Sequence, residues 1–259
     1  MNIIKSIIRY PIKGLSGEYL DKTLLEVNQT IPGDREYAFA RFNTKFDQNN
    51  PVYLRKTNFL ALVKEEKLAK LTTIFNLKSK QFIIKIDNNI VVDEKLTNKN
   101  NINKVEIFFQ DYLGMSKEQK PRLVKGIKTN KTNPTHSFSD IPDKAISIIN
   151  LNTVLELQNK LGEQISPSRF RGNILVDGVN AWEEFNWIGK KIYIGDAILV
   201  VFKRTQRCAA TNVNPDNGQR DINIPNQIKS HYGHIDLGIY AKVTKGGLIS
   251  ILNKLHISD

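Results

Sequence analysis

Short apolar segments separated by turn-forming residues constrain the fold of this 259-residue chain more than any other feature. Runs of β-branched and aromatic residues end at turn formers such as Pro32-Gly33-Asp34 and Asp87-Asn88-Asn89. Short strands at this spacing predict a β-barrel or a β-sandwich. In the first half of the chain the predicted strands cover residues 3–8, 24–27, 35–42, 60–63, 68–75, 82–86 and 90–91.

Two segments have helical patterning instead. Apolar residues share one face of residues 103–113 and of residues 151–161, and a glycine follows each segment. The polar segment 117–140 between them is typical of a domain connection or an active-site loop. The sequence therefore predicts a β-rich α+β protein. Its second half combines one long helix with strands at residues 173–176, 190–194, 197–203 and 239–243.

Cys208 is the only cysteine of the sequence. A disulfide framework, a Cys-rich zinc site and a four-cysteine iron–sulfur cluster are therefore excluded within this chain. The first eleven residues include Lys5 and Arg9 and lack the apolar core of a signal peptide, so we interpret them as a strand. No apolar run reaches the length of about 20 residues that spans a bilayer. These features predict a cytoplasmic protein without a membrane partner. A lone thiol suits the cytoplasm because that compartment is reducing.

Cys208 lies in a polar, basic stretch that follows the apolar residues 198–202. Arg204 and Arg207 are close to it in sequence, and cations favour the thiolate, which is the form that attacks electrophiles and binds metals. A buried structural cysteine is the alternative interpretation. The segment Asn214-Pro215-Asp216-Asn217-Gly218, which follows a few residues later, is typical of a turn.

A second basic cluster surrounds Phe170. Arg169 and Arg171 flank it at the expected start of a strand, where alternate side chains point to the same face. Paired guanidinium groups in that position would grip a phosphate, whereas a solvated strand end is the alternative. Lys13 and Arg35 would extend such an anion pocket if the two halves of the chain face each other.

The histidines give a weaker signal. Gly233 separates His231 from His234, and the alternating apolar residues that follow favour a strand with the two rings on opposite faces. A two-histidine metal site and a nucleophilic pair of Cys208 with a histidine stay open as alternatives. Core packing explains the aromatic cluster better than base stacking does: Trp182, Phe185 and Trp187.

Several separated motifs, taken in order, resemble the MOSC domain family, and within it the mitochondrial amidoxime reducing component and its bacterial relatives. The N-terminal motifs are Arg9-Tyr10-Pro11-Ile12-Lys13-Gly14 and Gly33-Asp34-Arg35-Glu36-Tyr37. The C-terminal motifs are Phe138-Ser139-Asp140, Arg169-Phe170-Arg171-Gly172-Asn173-Ile174, and the stretch from Arg207-Cys208 to Asn214-Pro215-Asp216-Asn217-Gly218. The resemblance implies a MOSC-type N-terminal β-barrel domain at residues 1–113, packed on a MOSC β-barrel domain at residues 121–259. The cofactor pocket would lie between them.

The resemblance also implies a molybdenum-dependent oxidoreductase that reduces N-hydroxylated or N-oxide-type compounds. Cys208 would bind the metal of a molybdenum cofactor in its molybdopterin form. Asp140, Asn214 and Asp216 would orient a small-molecule substrate or relay protons. The residues that would contact the pterin and its phosphate are Lys13, Gly14, Arg35, Ser139, Arg169, Arg171, Asn173, Gln206 and Arg207.

Four positions depart from the family pattern. Gly14, Ile141 and Gln206 stand where the eukaryotic members often have Ser, Thr and Ser, and Asn214 stands where Asp is common. Some bacterial relatives carry an appended ferredoxin domain with four extra cysteines, which this sequence does not contain. Electrons would therefore come from a separate donor protein of ferredoxin or cytochrome type.

Two other classes of function stay open. A sulfur carrier or a cofactor-handling protein would use a persulfide on Cys208 in place of a permanent metal. A nucleic-acid-binding β-barrel would use the formal charge of +12. The basic residues do not alternate with exposed aromatic residues, however, so nucleic acid ranks last among the partners.

Overall fold

The computed structural model describes residues 2–126 and 136–258, and within these ranges the chain forms fifteen strands and three α-helices. This confirms the predicted β-rich α+β class. The helices are α1 (Lys99–Tyr112), α2 (Leu151–Leu161) and α3 (Ile224–Tyr232). The strands are β1 (Ile3–Arg9), β2 (Glu18–Leu20), β3 (Lys22–Leu25), β4 (Tyr37–Ala40), β5 (Thr72–Phe75), β6 (Gln81–Ile86), β7 (Asn89–Lys95), β8 (Arg122–Lys125), β9 (Ile146–Asn150), β10 (Ile174–Asp177), β11 (Lys191–Ile194), β12 (Ala197–Gln206), β13 (Asp236–Lys245), β14 (Gly247–Ser250) and β15 (Leu255–Ile257).

Eight strands form one large sheet in the order β15-β11-β12-β13-β9-β10-β1-β2. Strand β9 runs parallel to β10, and α2 makes the crossover between them, as a parallel pair requires. Strands β1 and β2 extend the same sheet, since β1 pairs with β10 and β2 pairs with β1. The N-terminal strands thus share a sheet with strands of the second half. The predicted boundary between residues 1–113 and residues 121–259 stays a prediction.

The two faces of the large sheet differ because side chains alternate along a strand. Ile239 and Ala241 of β13 lie in the main hydrophobic core, together with Ile146 and Ile148 of β9. Tyr240 lies between the two core residues of β13 and points the other way. One face of the sheet therefore lies in the main core, whereas the opposite face carries polar groups such as Tyr240 and a separate hydrophobic cluster that includes Ile149 and Leu175.

A second hydrophobic core lies under α1 and the three-stranded sheet β5-β6-β7. The rings of Phe39 and Phe109 pack with their centroids 4.3 Å apart, and Phe82 is fully buried in the same cluster. Strands β4 and β8 form a separate antiparallel pair beside it. No helix among the described residues is long and apolar enough to cross a membrane.

The two predicted helices form because local sequence signals define both of their ends. The side chain of Asn150 accepts a hydrogen bond from the backbone of Asn152 and caps α2, and Gly162 ends it with φ of 67°. Asn98 caps α1 in the same way. The helix predicted at residues 103–113 therefore begins four residues earlier than expected, at Lys99.

Several local predictions are wrong. Residues 60–63 form a turn instead of a strand, and a 3-10 turn at Glu66–Lys70 replaces the first part of the strand predicted at residues 68–75. Strand β8 interrupts the polar segment 117–140, of which residues 127–135 lie outside the described ranges. His231 lies in α3, a helix that the glycine and the following alternation concealed.

Glu184 provides a test of the packing between α2 and the large sheet. Its carboxylate is fully buried and accepts hydrogen bonds of 2.8 Å from Asn150 and 2.9 Å from Thr153. Burial raises its pKa above the usual value, although these hydrogen bonds work in the opposite direction.

The folded chain therefore holds the Glu184 proton more tightly than the unfolded chain does. The free energy of unfolding should fall as pH rises from about 4.3 to the folded pKa, by at most about 1.4 kcal/mol per pH unit. Glu184→Gln should remove this part of the pH dependence, measured by urea unfolding at a series of pH values. Glu163→Gln, on the exposed residue after α2, is the control and should leave the slope unchanged. An unchanged slope in the Glu184 variant would contradict the prediction.

Candidate functional site

A cavity of about 270 Å³ opens where the loop after β1, the end of β12 and the segment before β10 meet. The polar face of the large sheet forms its floor, because Tyr240 is paired in register with Ser147 on one side and with Lys203 on the other. All three residues line the cavity. Eleven of the residues predicted from the sequence line it as well: Lys13, Gly14, Arg35, Ser139, Asp140, Arg169, Arg171, Asn173, Gln206, Arg207 and Cys208.

Cys208 is held at the cavity wall by the backbone on both of its sides. Strand β12 ends two residues before it, and a 3-10 turn begins directly after it at Ala209. The thiol is half-buried, and its Sγ lies 2.9 Å from Nζ of Lys56. The buried structural cysteine considered as an alternative is therefore not what the structure shows.

Asp140 links cations from two parts of the chain. Nζ of Lys13 lies 2.5 Å from its carboxylate and also donates to the carbonyl of Phe138 over 2.8 Å. Nζ of Lys56 lies 3.9 Å from the other carboxylate oxygen. Burial would raise the pKa of Asp140, but Lys13 and Lys56 outweigh burial and hold the pKa well below its usual range. Asp140 is therefore an anion that fixes Lys13 in the cavity.

Arg35 and Arg171 stack against the ring of Tyr10. Their guanidinium carbons lie 4.9 Å and 4.2 Å from its centroid. Arg35 forms a 2.5 Å ion pair with Asp34 and donates to the backbone carbonyl of Arg171. Both arginines have φ of 50°, a left-handed conformation that is unusual for residues other than glycine. The backbone is thus strained at the two positions that bring these side chains together.

Arg171 differs from Arg35 in lacking a carboxylate partner. Its Nη2 is buried without a hydrogen bond among the described residues. Burial lowers the pKa of its guanidinium to about 10, and Tyr10 opposes that shift. Removal of a cation from water without an anion is unfavourable, so this group is suited to bind an anion in the cavity.

Three other predicted residues line the cavity but are bonded to the protein. Arg169 pairs with Asp221 at 2.6 Å, and Arg207 donates to the carbonyls of Leu237 and Phe170. The amide of Asn173 donates to the carboxylate of Asp34 over 3.0 Å. These side chains hold the cavity walls in place.

Arg169 and Arg171 were expected on one face of a strand, and the structure has no strand at these residues. Residues Pro167–Phe170 form a 3-10 turn, and Arg171 follows that turn in the left-handed conformation. The two arginines reach the same cavity by this turn and not by strand alternation. The prediction of their proximity holds for a different geometrical reason.

Asn214 and Asp216 lie outside the residues that line the cavity. The amide of Asn214 donates to Asp221 over 2.7 Å, and its side-chain oxygen accepts from the backbone of Asp216. The side chain of Asp216 is exposed. Both residues build the predicted turn, and their catalytic role is an expectation that this placement does not support.

The histidine alternatives find no support in the described ranges. His231 is exposed on α3. The ring of His234 packs against Trp182 and Phe185, with ring centroids 5.5 Å and 5.4 Å apart. Phe185 is buried in the main core, as expected for that aromatic cluster. No group of three His, Cys, Asp or Glu residues that could hold a metal ion occurs within residues 2–126 and 136–258.

The charged and tyrosine side chains of the cavity lining that were not predicted from the sequence are Asp34, Lys56, Lys203 and Tyr240. Tyr240 had a detectable signal, because a polar aromatic residue between Ile239 and Ala241 must face away from the core. Lys56 had no such signal, since no pattern in its segment distinguishes this lysine from other surface lysines.

The fold and the cavity define a strand-rich α+β protein with a basic site around a single accessible thiol. Residues 133–254 match the MOSC domain family, so this part of the chain is a MOSC domain. The match begins just before Phe138 and includes Arg171 and Cys208. Lys13, Arg35 and Lys56 come from the part of the chain that precedes it.

The curated relatives agree with this family. The chain is 29% identical over 199 residues to mitochondrial amidoxime reducing component 2 of Rattus norvegicus, a match that covers 62% of this chain and 58% of the relative. It is 27% identical over 136 residues to molybdenum cofactor sulfurase of Bos taurus, covering 48% of this chain and 15% of that protein. The chain thus spans less than two thirds of the length of these relatives.

The solved structures include the YUAD protein of Bacillus subtilis, with a TM-score of 0.45 and 12% identity over 99% of this chain and 96% of that chain. YiiM of Geobacillus stearothermophilus has a TM-score of 0.36 and 18% identity, and covers 44% of this chain and 54% of that chain.

Proposed function

We propose that this protein is a molybdenum-cofactor-dependent oxidoreductase that reduces N-hydroxylated or N-oxide-type small molecules. The observation that carries the proposal is the presence in one cavity of an accessible thiol, Cys208, and a half-buried cation, Arg171, whose Nη2 is buried without a hydrogen-bond partner among the described residues. The names of the relatives, one an amidoxime reducing component and one a molybdenum cofactor sulfurase, support the same chemistry.

The residues of the cavity fit a molybdopterin. Five buried polar side-chain atoms lack a partner within the described ranges, and three of them belong to lining residues, namely Nε of Arg169, Nη2 of Arg171 and Oγ1 of Thr205. All three atoms can donate a hydrogen bond, and a phosphorylated pterin offers many acceptors. A thiolate is the soft ligand that a thiophilic metal prefers. The donor set and the thiol thus match the two ends of one cofactor.

Each group of residues has a distinct task in this proposal. Cys208 would hold the metal, and Arg171, with Arg35 and Lys13, would hold the phosphate. Asp140 and Asp34 act through their ion pairs, because they fix Lys13 and Arg35 in position. Tyr10 orients both arginines by stacking. The chain itself therefore supplies position and charge, as proteins do for cofactor chemistry.

The bound cofactor would supply a two-electron reduction in which the N–O oxygen leaves as water. The balance is one N–OH group, two electrons and two protons giving one N–H group and one water. The electrons come from a separate protein of ferredoxin or cytochrome type, because a single cysteine excludes an iron–sulfur cluster in this chain. The reaction belongs in the cytoplasm and uses neither a nucleic acid nor a membrane partner.

Metal and pterin analysis of one preparation tests this proposal. The full chain should be purified from a host that makes molybdopterin and from a matched host that does not. We expect close to one molybdenum and one pterin per chain from the first host and neither from the second. A labile sulfur on Cys208 in the intact mass, without molybdenum or pterin, would favour the sulfur-carrier function instead.

A further inference from the structure

The end of the cavity at Lys56 and Asp140 is the open end. The exposed fraction of the side chains rises from 5% at Lys13 and 16% at Arg35 to 29% at Lys56 and 47% at Asp140. Cys208 touches Lys56 and is itself half-buried. A substrate that reaches the thiol-bound side of the cavity from solvent therefore passes Lys56.

Seven cationic side chains and two carboxylates line this cavity, so its charge is strongly positive. The two lining carboxylates, Asp34 and Asp140, pair with Arg35 and Lys13. Asp221, which is outside the lining, pairs with Arg169. The remaining cations are Arg171 at the buried end, Arg207 bonded to carbonyls, and Lys56 and Lys203. One phosphate at Arg171 leaves the charge of the open end unbalanced.

Lys56 has two partners in the described structure. Its shorter contact is to Sγ of Cys208 at 2.9 Å, and its longer one is to Asp140 at 3.9 Å. Asp140 is already bound more closely by Lys13 at 2.5 Å. A metal bound to Cys208 would compete with Lys56 for the sulfur, and the ammonium group of Lys56 would then keep the longer contact to Asp140.

We infer that the open end of this cavity selects substrates that carry a negative charge beside the reducible N–O group, and that Lys56 is the residue that binds this charge. This inference rests on the proposed function and deepens it to a substrate class. Lys203, an exposed lining residue paired in register with Tyr240, adds positive charge to the same end. An N-hydroxylated compound with a carboxylate substituent has the required chemistry.

The sole cysteine permits a test that needs no cofactor. Iodoacetate carries a carboxylate, iodoacetamide is its neutral amide of nearly the same size, and both alkylate only Cys208 among the cysteines of this chain. The ratio of their rate constants reports the charge felt by an approaching anion, because any change in thiolate fraction affects both reagents equally. The full chain from the host without molybdopterin is used, and alkylation is followed by intact mass.

Lys56→Gln should lower the ratio of iodoacetate to iodoacetamide rates by about three- to fivefold, the effect of one charge at contact distance near a solvated surface. Lys56→Arg should keep the ratio of the parent chain. Lys160→Gln, at the exposed end of α2, removes a charge elsewhere and should change nothing. An unchanged ratio in the Lys56→Gln chain would overturn the inference.

The loaded enzyme gives the second measurement, with benzamidoxime and 4-carboxybenzamidoxime as substrates. Lys56→Gln should raise KM for the carboxylate by roughly tenfold, the equivalent of losing one charge-assisted hydrogen bond. The increase in KM for the neutral compound should be at least about threefold smaller than that for the carboxylate, since the two compounds differ only in the charged substituent. Equal changes for both compounds would show a structural role and contradict the inference.

The two proposals fail in different ways. A chain without molybdenum and pterin whose alkylation ratio still depends on Lys56 contradicts the proposed function but retains an anion-selective entrance. If the loaded enzyme contains molybdenum and pterin, but neither its KM values nor the alkylation ratio of the cofactor-free chain depends on Lys56, the function is supported and the substrate class is overturned.

Discussion

Cys208→Ser is expected to lower the molybdenum content of the chain, and the reduction of N-hydroxylated compounds, at least about tenfold. The reason is chemical, because a hydroxyl group is a harder and much weaker ligand than a thiolate for a thiophilic metal. A tenfold loss corresponds to about 1.4 kcal/mol, less than we expect for the loss of the proposed metal ligand. Molybdenum per chain and turnover are measured on the same preparation.

The folded chain itself should tolerate this change. Cys208 is half-buried outside the main hydrophobic cores, so the free energy of unfolding should change by no more than about 0.5 kcal/mol without the cofactor. Ala209→Ser, on the exposed neighbouring residue, introduces a hydroxyl group without removing the thiol and should retain the metal. Normal molybdenum content in the Cys208 variant would show that the thiol does not hold the metal.

Arg171→Met is expected to have opposite effects on the empty chain and on cofactor binding. A buried guanidinium nitrogen without a partner is unfavourable by about 1–3 kcal/mol, and stacking on Tyr10 offsets only part of this. The methionine side chain keeps apolar contact in the same space. Without the cofactor, the free energy of unfolding should therefore rise by about 1 kcal/mol.

The same variant should retain at least about tenfold less pterin, because Arg171 is the buried cation without a carboxylate partner that we assign to the phosphate. Denaturant unfolding of the chain from the host without molybdopterin measures the first effect, and pterin extraction after dialysis measures the second. Arg204→Met is the matched control, since Arg204 stacks on Phe185 outside the cavity lining. Full pterin retention in the Arg171 variant would show that the phosphate does not bind at Arg171.

The sequence predicted α1 and α2 and most strands of the second half because their signals are local. Helix α2 has its apolar stripe, its Asn150 cap and its Gly162 end within thirteen residues of chain. Helix α3 is not predicted from the sequence, because Gly233, which ends it, and the alternating apolar residues after it favour a strand. Residues 60–63 have strand-like composition, but the backbone turns there and places Leu60 in the second core. At such positions tertiary packing outweighs the intrinsic strand propensity of the residues.

The sequence alone determined the chemistry that this protein can carry, since it contains one thiol, an excess of cations and a set of motifs typical of MOSC domains. Only the tertiary structure decided how each charge is used. Arg169 is neutralised by Asp221, 52 positions away, while Arg171 has no carboxylate partner. Lys56 reaches Cys208 across 152 positions of sequence. Contacts of this kind depend on distances in space, which the strand order of the large sheet sets and the spacing of residues along the chain does not.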